Sequence, residues 1–185
     1  MTRQKDIAVI GAGYWGKNLV RNFNNLGVLR VVWDTDNAVR NQILKDYREV
    51  RIVKSDKEIL KDESIRAVVI ATNAISHYEL TRRALEAGKH VFVEKPLALT
   101  CEDGQKLVDL ARTKGKIIFV GHILHYHAAV IKLKELVRQG KIGRLQYIYS
   151  RRLSFGKIRR EENILWSFAP HDISVILSLV GEEPH

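Results

Sequence analysis

Short apolar runs alternate with segments of helical period through the first two-thirds of the chain. The runs are Ile7–Ile10, Val28–Trp33, Ile52–Val53, Ala67–Ala71, His90–Val93 and Ile117–Val120. They are rich in Val and Ile and do not strictly alternate, as is usual for strands buried on both faces. Between them, Leu19, Val20 and Phe23 mark a helix stopped by Gly27. Ser55 with Glu58, and Ser76 with Glu79, have capping-box spacing, and Gly88 and Gly115 follow helical runs as C-terminal stops. Repeated strand–helix–strand units predict a parallel sheet covered by helices on both faces. This is a Rossmann-type, doubly wound α/β domain, expected over residues 1–121.

After Gly121 the rhythm changes. A helical run from Ala128 to Gln139 ends at Gly140, and Leu145–Ser154 reads as a long strand with Leu145, Tyr147, Tyr149 and Leu153 on one face. A basic loop follows, then a helix from about His171 to Leu179. One strand and two helices do not complete a domain of this kind. Residues 122–185 are therefore expected to be the incomplete N-terminal part of a second α/β domain with an open sheet, in a chain that looks truncated.

Composition narrows the class. Of 185 residues, 45% are apolar and 28% charged, which excludes a disordered chain. Cys101 is the one cysteine, so there is no internal disulfide and no thiolate zinc site built on it alone; it is read as packing. No apolar stretch approaches a membrane span, and the N-terminal run breaks at Gly11 and Gly13, unlike a signal peptide. A cytoplasmic protein of a reducing compartment is expected. The net charge of +10 is sharpest between Arg138 and Arg160, with eight basic residues and no acidic one. Such a stretch suits nucleic acid, a diphosphate-bearing small molecule, or simply a solvated surface. No helix-turn-helix, zinc or RNA-binding signature accompanies it, so neither a nucleic-acid nor a membrane partner is expected.

The chemistry begins at Gly11-Ala12-Gly13-Tyr14-Trp15-Gly16, a G-x-G-x-x-G string that follows a predicted strand and opens a helix. Gly11 permits the tight turn, Gly13 lets the backbone approach a pyrophosphate, and Gly16 lets helix and strand pack closely. The helix N-terminus then offers free N–H groups to the phosphates. The second predicted strand ends at Asp34, 18 residues after Gly16, where a carboxylate would bind the adenosine ribose and favour NAD over NADP. Asp36 is a rival for that place. His122, His125 and His127 are spaced by three and two, which does not bring them to one helix face, and no carboxylate or Cys lies among them. No metal site is expected there, and His122 is placed beside the nicotinamide pocket.

Glu94-Lys95-Pro96 follows the fifth predicted strand. Together with the glycine string, Val120–His122 and Pro170–Asp172, it resembles the Gfo/Idh/MocA oxidoreductases, and the resemblance covers nearly the whole chain. The stretch REENILWSFAPHDIS is similar to the nucleotide-sugar 3-dehydrogenases of surface-polysaccharide pathways, which oxidise the C3 hydroxyl of UDP-N-acetylglucosaminuronate or a close relative. The resemblance implies that Lys95 contacts the reacting hydroxyl, that Pro96 follows a cis peptide, and that His171 is the general base or acid. It implies NAD as cofactor. The cofactor-binding set is Gly11, Gly13, Tyr14, Trp15, Gly16, Asp34, Thr72, Asn73, His77, Glu94 and Lys95. The substrate-binding set is Lys95, His122, Arg159, Arg160, Asn163, Trp166 and His171. Arg151, Arg152 and Lys157 join Arg159 and Arg160 as candidates for a diphosphate. A homo-oligomer is expected if the second domain is complete.

The chain departs from this pattern in two respects. Inositol dehydrogenases of the family carry an Asp four residues before the histidine, where this chain has Ser167, which turns the reading from polyols toward nucleotide sugars. It is also shorter than family members usually are. The alternative is a nicotinamide-binding regulatory module, or an inactive truncated family member, without catalysis.

Overall fold

A computed structural model of the chain describes residues 4–153 and 164–182, which divide into two compact units at Gly121 and His122. The first unit holds six strands, Ile7–Ile10 (β1), Leu29–Trp33 (β2), Arg51–Ile52 (β3), Ala67–Ile70 (β4), His90–Val93 (β5) and Ile118–Val120 (β6). All pair in parallel, in the order β3-β2-β1-β4-β5-β6. The order reverses between β1 and β4, so the loops after these strands part and leave a crevice at the carboxyl edge of the sheet.

Five helices connect the strands: Gly16–Asn25 (α1), Asn37–Asp46 (α2), Asp56–Lys61 (α3), Ala74–Glu86 (α4) and Cys101–Lys114 (α5). Alternation along the strands sorts the core into two layers. Ala8, Ile10, Val68, Ile70, Val91 and Val93 pack with Ile59 of α3, Ala84 and Leu85 of α4, and Leu107 and Ala111 of α5. Val9, Val32 and Val69 pack on the other side with Val20 of α1 and Ile43 of α2. Both faces of the sheet are thus dry, which is why its strands are apolar throughout.

Two helix starts behave differently. Ser55 caps α3, its hydroxyl accepting from the Lys57 N–H at 3.2 Å, and Glu58 accepts from the Lys54 N–H at 3.0 Å. Ser76 caps nothing. Helix α4 begins at Ala74 after Asn73, and the Ser76 hydroxyl turns back to the Asn73 carbonyl at 2.9 Å.

The second unit contains a 3-10 turn at Ile123–Tyr126 and the helices Ala128–Arg138 (α6) and Ile164–Val180 (α7). Helix α7 starts ahead of the expected His171 and carries Pro170 inside it. The strand expected at Leu145–Ser154 does not form over its described residues, 145–153. Among the described residues this unit has no strand. An extended segment becomes a strand only when a neighbour satisfies its N–H and C=O groups. Tyr147, Tyr149 and Leu153 are exposed accordingly.

Candidate active site

The glycine loop closes tightly on the sheet. The Gly11 N–H donates to the Trp33 carbonyl at 2.8 Å, and Gly11 has a φ of 89°. A Cβ there would lie 2.7 Å from the Ala71 carbonyl oxygen, and one on Gly16 would lie 2.1 Å from the Gly11 carbonyl oxygen. Gly13 differs: a Cβ on it would meet nothing within 4 Å, so its backbone faces open space. The first turn of α1 carries no acidic residue, and Trp15 at its N-cap makes no side-chain capping bond. With no acid in its first turn the helix keeps its partial positive charge for an anion, while the Lys17 and Asn18 N–H groups already donate to the Gly13 and Trp15 carbonyls at 3.2 and 2.9 Å. A dinucleotide pyrophosphate fits this cradle.

At the end of β2, Asp34 is buried. One carboxylate oxygen accepts from the Ala12 N–H at 2.7 Å and the other from the Asp36 N–H at 2.9 Å. The acid so braces the glycine loop, and each oxygen keeps acceptor capacity for a ribose hydroxyl. Arg40 donates to the Asp34 carbonyl. Asp36 is occupied as the N-cap of α2, accepting from the Ala38 N–H at 2.7 Å.

Across the crevice, the loop after β4 holds Thr72 and Asn73, with the Thr72 hydroxyl 2.7 Å from that of Ser76. His77 of α4 is fully buried behind this loop. Its Nδ1 is 2.7 Å from the Pro96 carbonyl oxygen and its Nε2 is 3.2 Å from that of Thr72. The expected cofactor contact is thus a residue that joins two loops of the crevice from beneath, not one on its surface.

Glu94 leaves the end of β5, its N–H donating to the Ile70 carbonyl at 2.9 Å. Its carboxyl group is buried and accepts from the Trp15 indole N–H at 2.8 Å. Burial pushes the Glu94 carboxyl above its ordinary value, while the Trp15 bond, the Lys95 backbone N–H and the Lys95 charge pull it back in part. Gly121, at the end of β6, makes room: a Cβ there would come 3.0 Å from the Glu94 carboxyl atoms. The Lys95–Pro96 peptide is cis. The Trp15–Glu94 bond and the Gly121 contact were not legible from the sequence. The only signal was a glycine closing the last strand.

The first unit therefore brings Gly11, Gly13, Tyr14, Trp15, Gly16, Asp34, Thr72, Asn73, Glu94 and Lys95 to loops along one edge. His122, Trp166 and His171 belong to the second unit, the last two on α7. Beside His171, Asp172 accepts two bonds from Arg152 at 2.8 and 3.0 Å, and this guanidinium holds its carboxyl below the ordinary value. Arg152 is thus engaged within its own unit, and Arg151 is exposed. Lys157, Arg159, Arg160 and Asn163 lie outside the described residues. The histidine cluster divides its tasks. His127 caps α6 through Nδ1, accepting from the Ala129 N–H at 3.2 Å. The His125 Nδ1 accepts from Lys134 at 2.8 Å, and burial and that charge push its pKa down. Among the described residues no group of three metal-ligating side chains forms, and no helix is long and apolar enough to cross a membrane.

A doubly wound sheet with a glycine cradle and an acid at the end of β2 defines a dinucleotide-binding Rossmann domain. The family model of the Gfo/Idh/MocA proteins, described as an oxidoreductase family with an NAD-binding Rossmann fold, matches residues 5–122, and the chain belongs to this family. It is 28% identical over 186 residues to the 2,7-anhydro-N-acetylneuraminate hydratase of Mediterraneibacter gnavus, covering 96% of this chain and 50% of that protein. It is 28% identical over 177 residues to the UDP-N-acetylglucosamine 3-dehydrogenase of Acidithiobacillus ferrooxidans, covering 95% of this chain and 54% of that one. A solved NAD-binding protein from Listeria innocua superimposes with a TM-score of 0.80 at 25% identity, over 95% of this chain and 54% of its own. The chain spans about half the length of the curated relatives it matches.

Proposed function

We propose that this chain belongs to an NAD-dependent dehydrogenase that oxidises a sugar hydroxyl, C3 of a UDP-linked N-acetyl amino sugar or its uronate, in surface-polysaccharide biosynthesis. The observation that carries the proposal is the Glu94-Lys95-Pro96 turn, fixed at the end of β5 beside the glycine cradle. NAD, when bound, supplies the hydride acceptor. Gly11, Gly13 and Gly16 shape its pyrophosphate seat, and Asp34 takes its adenosine ribose, so that a 2′-phosphate would meet a carboxylate. The Lys95 ammonium orients the reacting oxygen and stabilises the charge that develops on it. A ring nitrogen of His171 receives the hydroxyl proton. Arg159, Arg160, Asn163, Trp166 and His122 are assigned to the sugar nucleotide. The sugar assignment draws support from the UDP-N-acetylglucosamine 3-dehydrogenase that matches along 95% of the chain.

The test is to add UDP-N-acetylglucosaminuronate and NAD to the chain and follow NADH absorbance, with a parallel sample containing a 2-oxo acid to recycle any tightly held cofactor. Product is expected, and Lys95→Ala and His171→Ala are each expected to abolish it while NADH still binds. Turnover retained in both variants overturns the assigned roles. Cofactor binding without product from any hydroxylated sugar marks a binding module.

A further inference from the structure

Trp15 occupies a position that its local helix does not explain. The N-cap favours Ser, Thr, Asp or Asn, whose short side chains satisfy the free N–H groups. Trp15 makes no such bond. Its indole N–H instead reaches 79 residues along the sequence to the Glu94 carboxylate, at 2.8 Å. Glu94 is 8% exposed, and its carboxylate lies so close to Gly121 that a Cβ there would come 3.0 Å from it. A buried carboxylate needs donors, and the Trp15 indole N–H and the Lys95 backbone N–H each supply one.

We infer that Trp15 is a positioning residue, whose bond to Glu94 fixes the Lys95 turn to the dinucleotide loop. Lys95 is then gripped on both flanks. Glu94 is held by Trp15 from the start of α1, and the Pro96 carbonyl is held by His77 from α4 at 2.7 Å. The loop that seats the pyrophosphate and the turn that carries the lysine move as one body. A shift of either is felt at the other. This rests on the reading of the crevice as the NAD site, and it gives the tryptophan of the glycine string a role that phosphate binding does not require.

The test is a double-mutant cycle on NADH affinity in the full chain, measured by calorimetry. Trp15→Phe keeps the ring and removes the donor, and Glu94→Ala removes the acceptor. Each is expected to weaken NADH about tenfold, the loss of one hydrogen bond to a charged group. The double variant is expected to lose no more than about twofold beyond either single one, because both remove the same bond. Glu94→Gln keeps an acceptor oxygen and is expected to recover most of the Glu94→Ala loss. Losses that multiply to about a hundredfold, or an unaffected Trp15→Phe variant, overturn the inference. A second measurement needs no cofactor. The Trp15 indole proton, identified by its absence in Trp15→Phe, is expected to exchange slowly in the unaltered chain and fast in Glu94→Ala. Equal exchange rates overturn the inference. Slow exchange in a chain that does not bind NADH overturns the cofactor reading and leaves the tie standing.

Discussion

Three glycines of one motif do three different things, and only two of them are needed for folding. A Cβ at Gly16 would sit 2.1 Å from a backbone oxygen that cannot move without opening the loop. Gly16→Ala is expected to cost about 3 kcal/mol in urea unfolding, the upper end of over-packing penalties, and to abolish NADH binding with it. At Gly13 a Cβ meets nothing within 4 Å. Gly13→Ala is expected to unfold within about 0.5 kcal/mol of the unaltered chain and yet to lose NADH affinity, because the methyl fills the space the backbone leaves for the pyrophosphate. Unfolding and calorimetry on the pair separate a glycine kept for packing from one kept for a ligand. The two acids after β2 divide in the same manner. Asp36 caps its own helix, and Asp34 reaches back to the Ala12 N–H. Neighbouring residues thus serve a local and a long-range purpose.

Among the elements, helix ends show how local rules hold or yield. Ser55 and Ser76 stand in the same sequence frame, each three residues before a Glu. Ser55 caps because the chain arrives extended from β3; Ser76 cannot, because Asn73 has already ended the loop and α4 is under way. Ser55→Ala is expected to cost about 1 kcal/mol. For Ser76→Ala, the gain in helix propensity offsets in part the lost bonds to Thr72 and Asn73, and thermal unfolding should show a smaller change than for Ser55→Ala. Helix α7 yields in the other direction. A helix is expected from about His171, just after Pro170, yet α7 runs from Ile164 through the proline. The segment at Leu145–Leu153 has the alternation of a strand and no partner among the described residues, so its pattern alone does not make one.

For the molecule as a whole, the charge of one buried group is linked to the stability of the fold. Burial raises the Glu94 carboxyl above its ordinary value of 4.5. Between 4.5 and the raised value, the folded chain retains a proton that the unfolded chain has released, so rising pH favours unfolding through that window and has no further effect above it. Denaturant titrations from the acid side of this window to neutrality are expected to show this loss in the unaltered chain and not in Glu94→Gln, which carries no ionisable proton there. Parallel slopes in the two would remove Glu94 from the account. The same burial creates the need for the Trp15 donor, so stability and site geometry meet in one carboxyl group.

The first unit was legible in the sequence to within a residue or two at each strand, because buried parallel strands and glycine-stopped helices are local signals. The glycine string announced the cradle, and the strand end and spacing pointed to Asp34 with Asp36 left as a rival. The sequence did not show what lies behind these residues. Nothing local pairs Trp15 with Glu94, sets Gly121 against a carboxylate, or turns His77 inward to two carbonyls. Those contacts join residues far apart in the chain, and they exist only once six parallel strands deliver their loops to one edge. Periodicity and turn chemistry follow from the covalent chain. Which acid caps, which acid braces and which tryptophan holds a turn depend on what the fold brings within hydrogen-bonding distance.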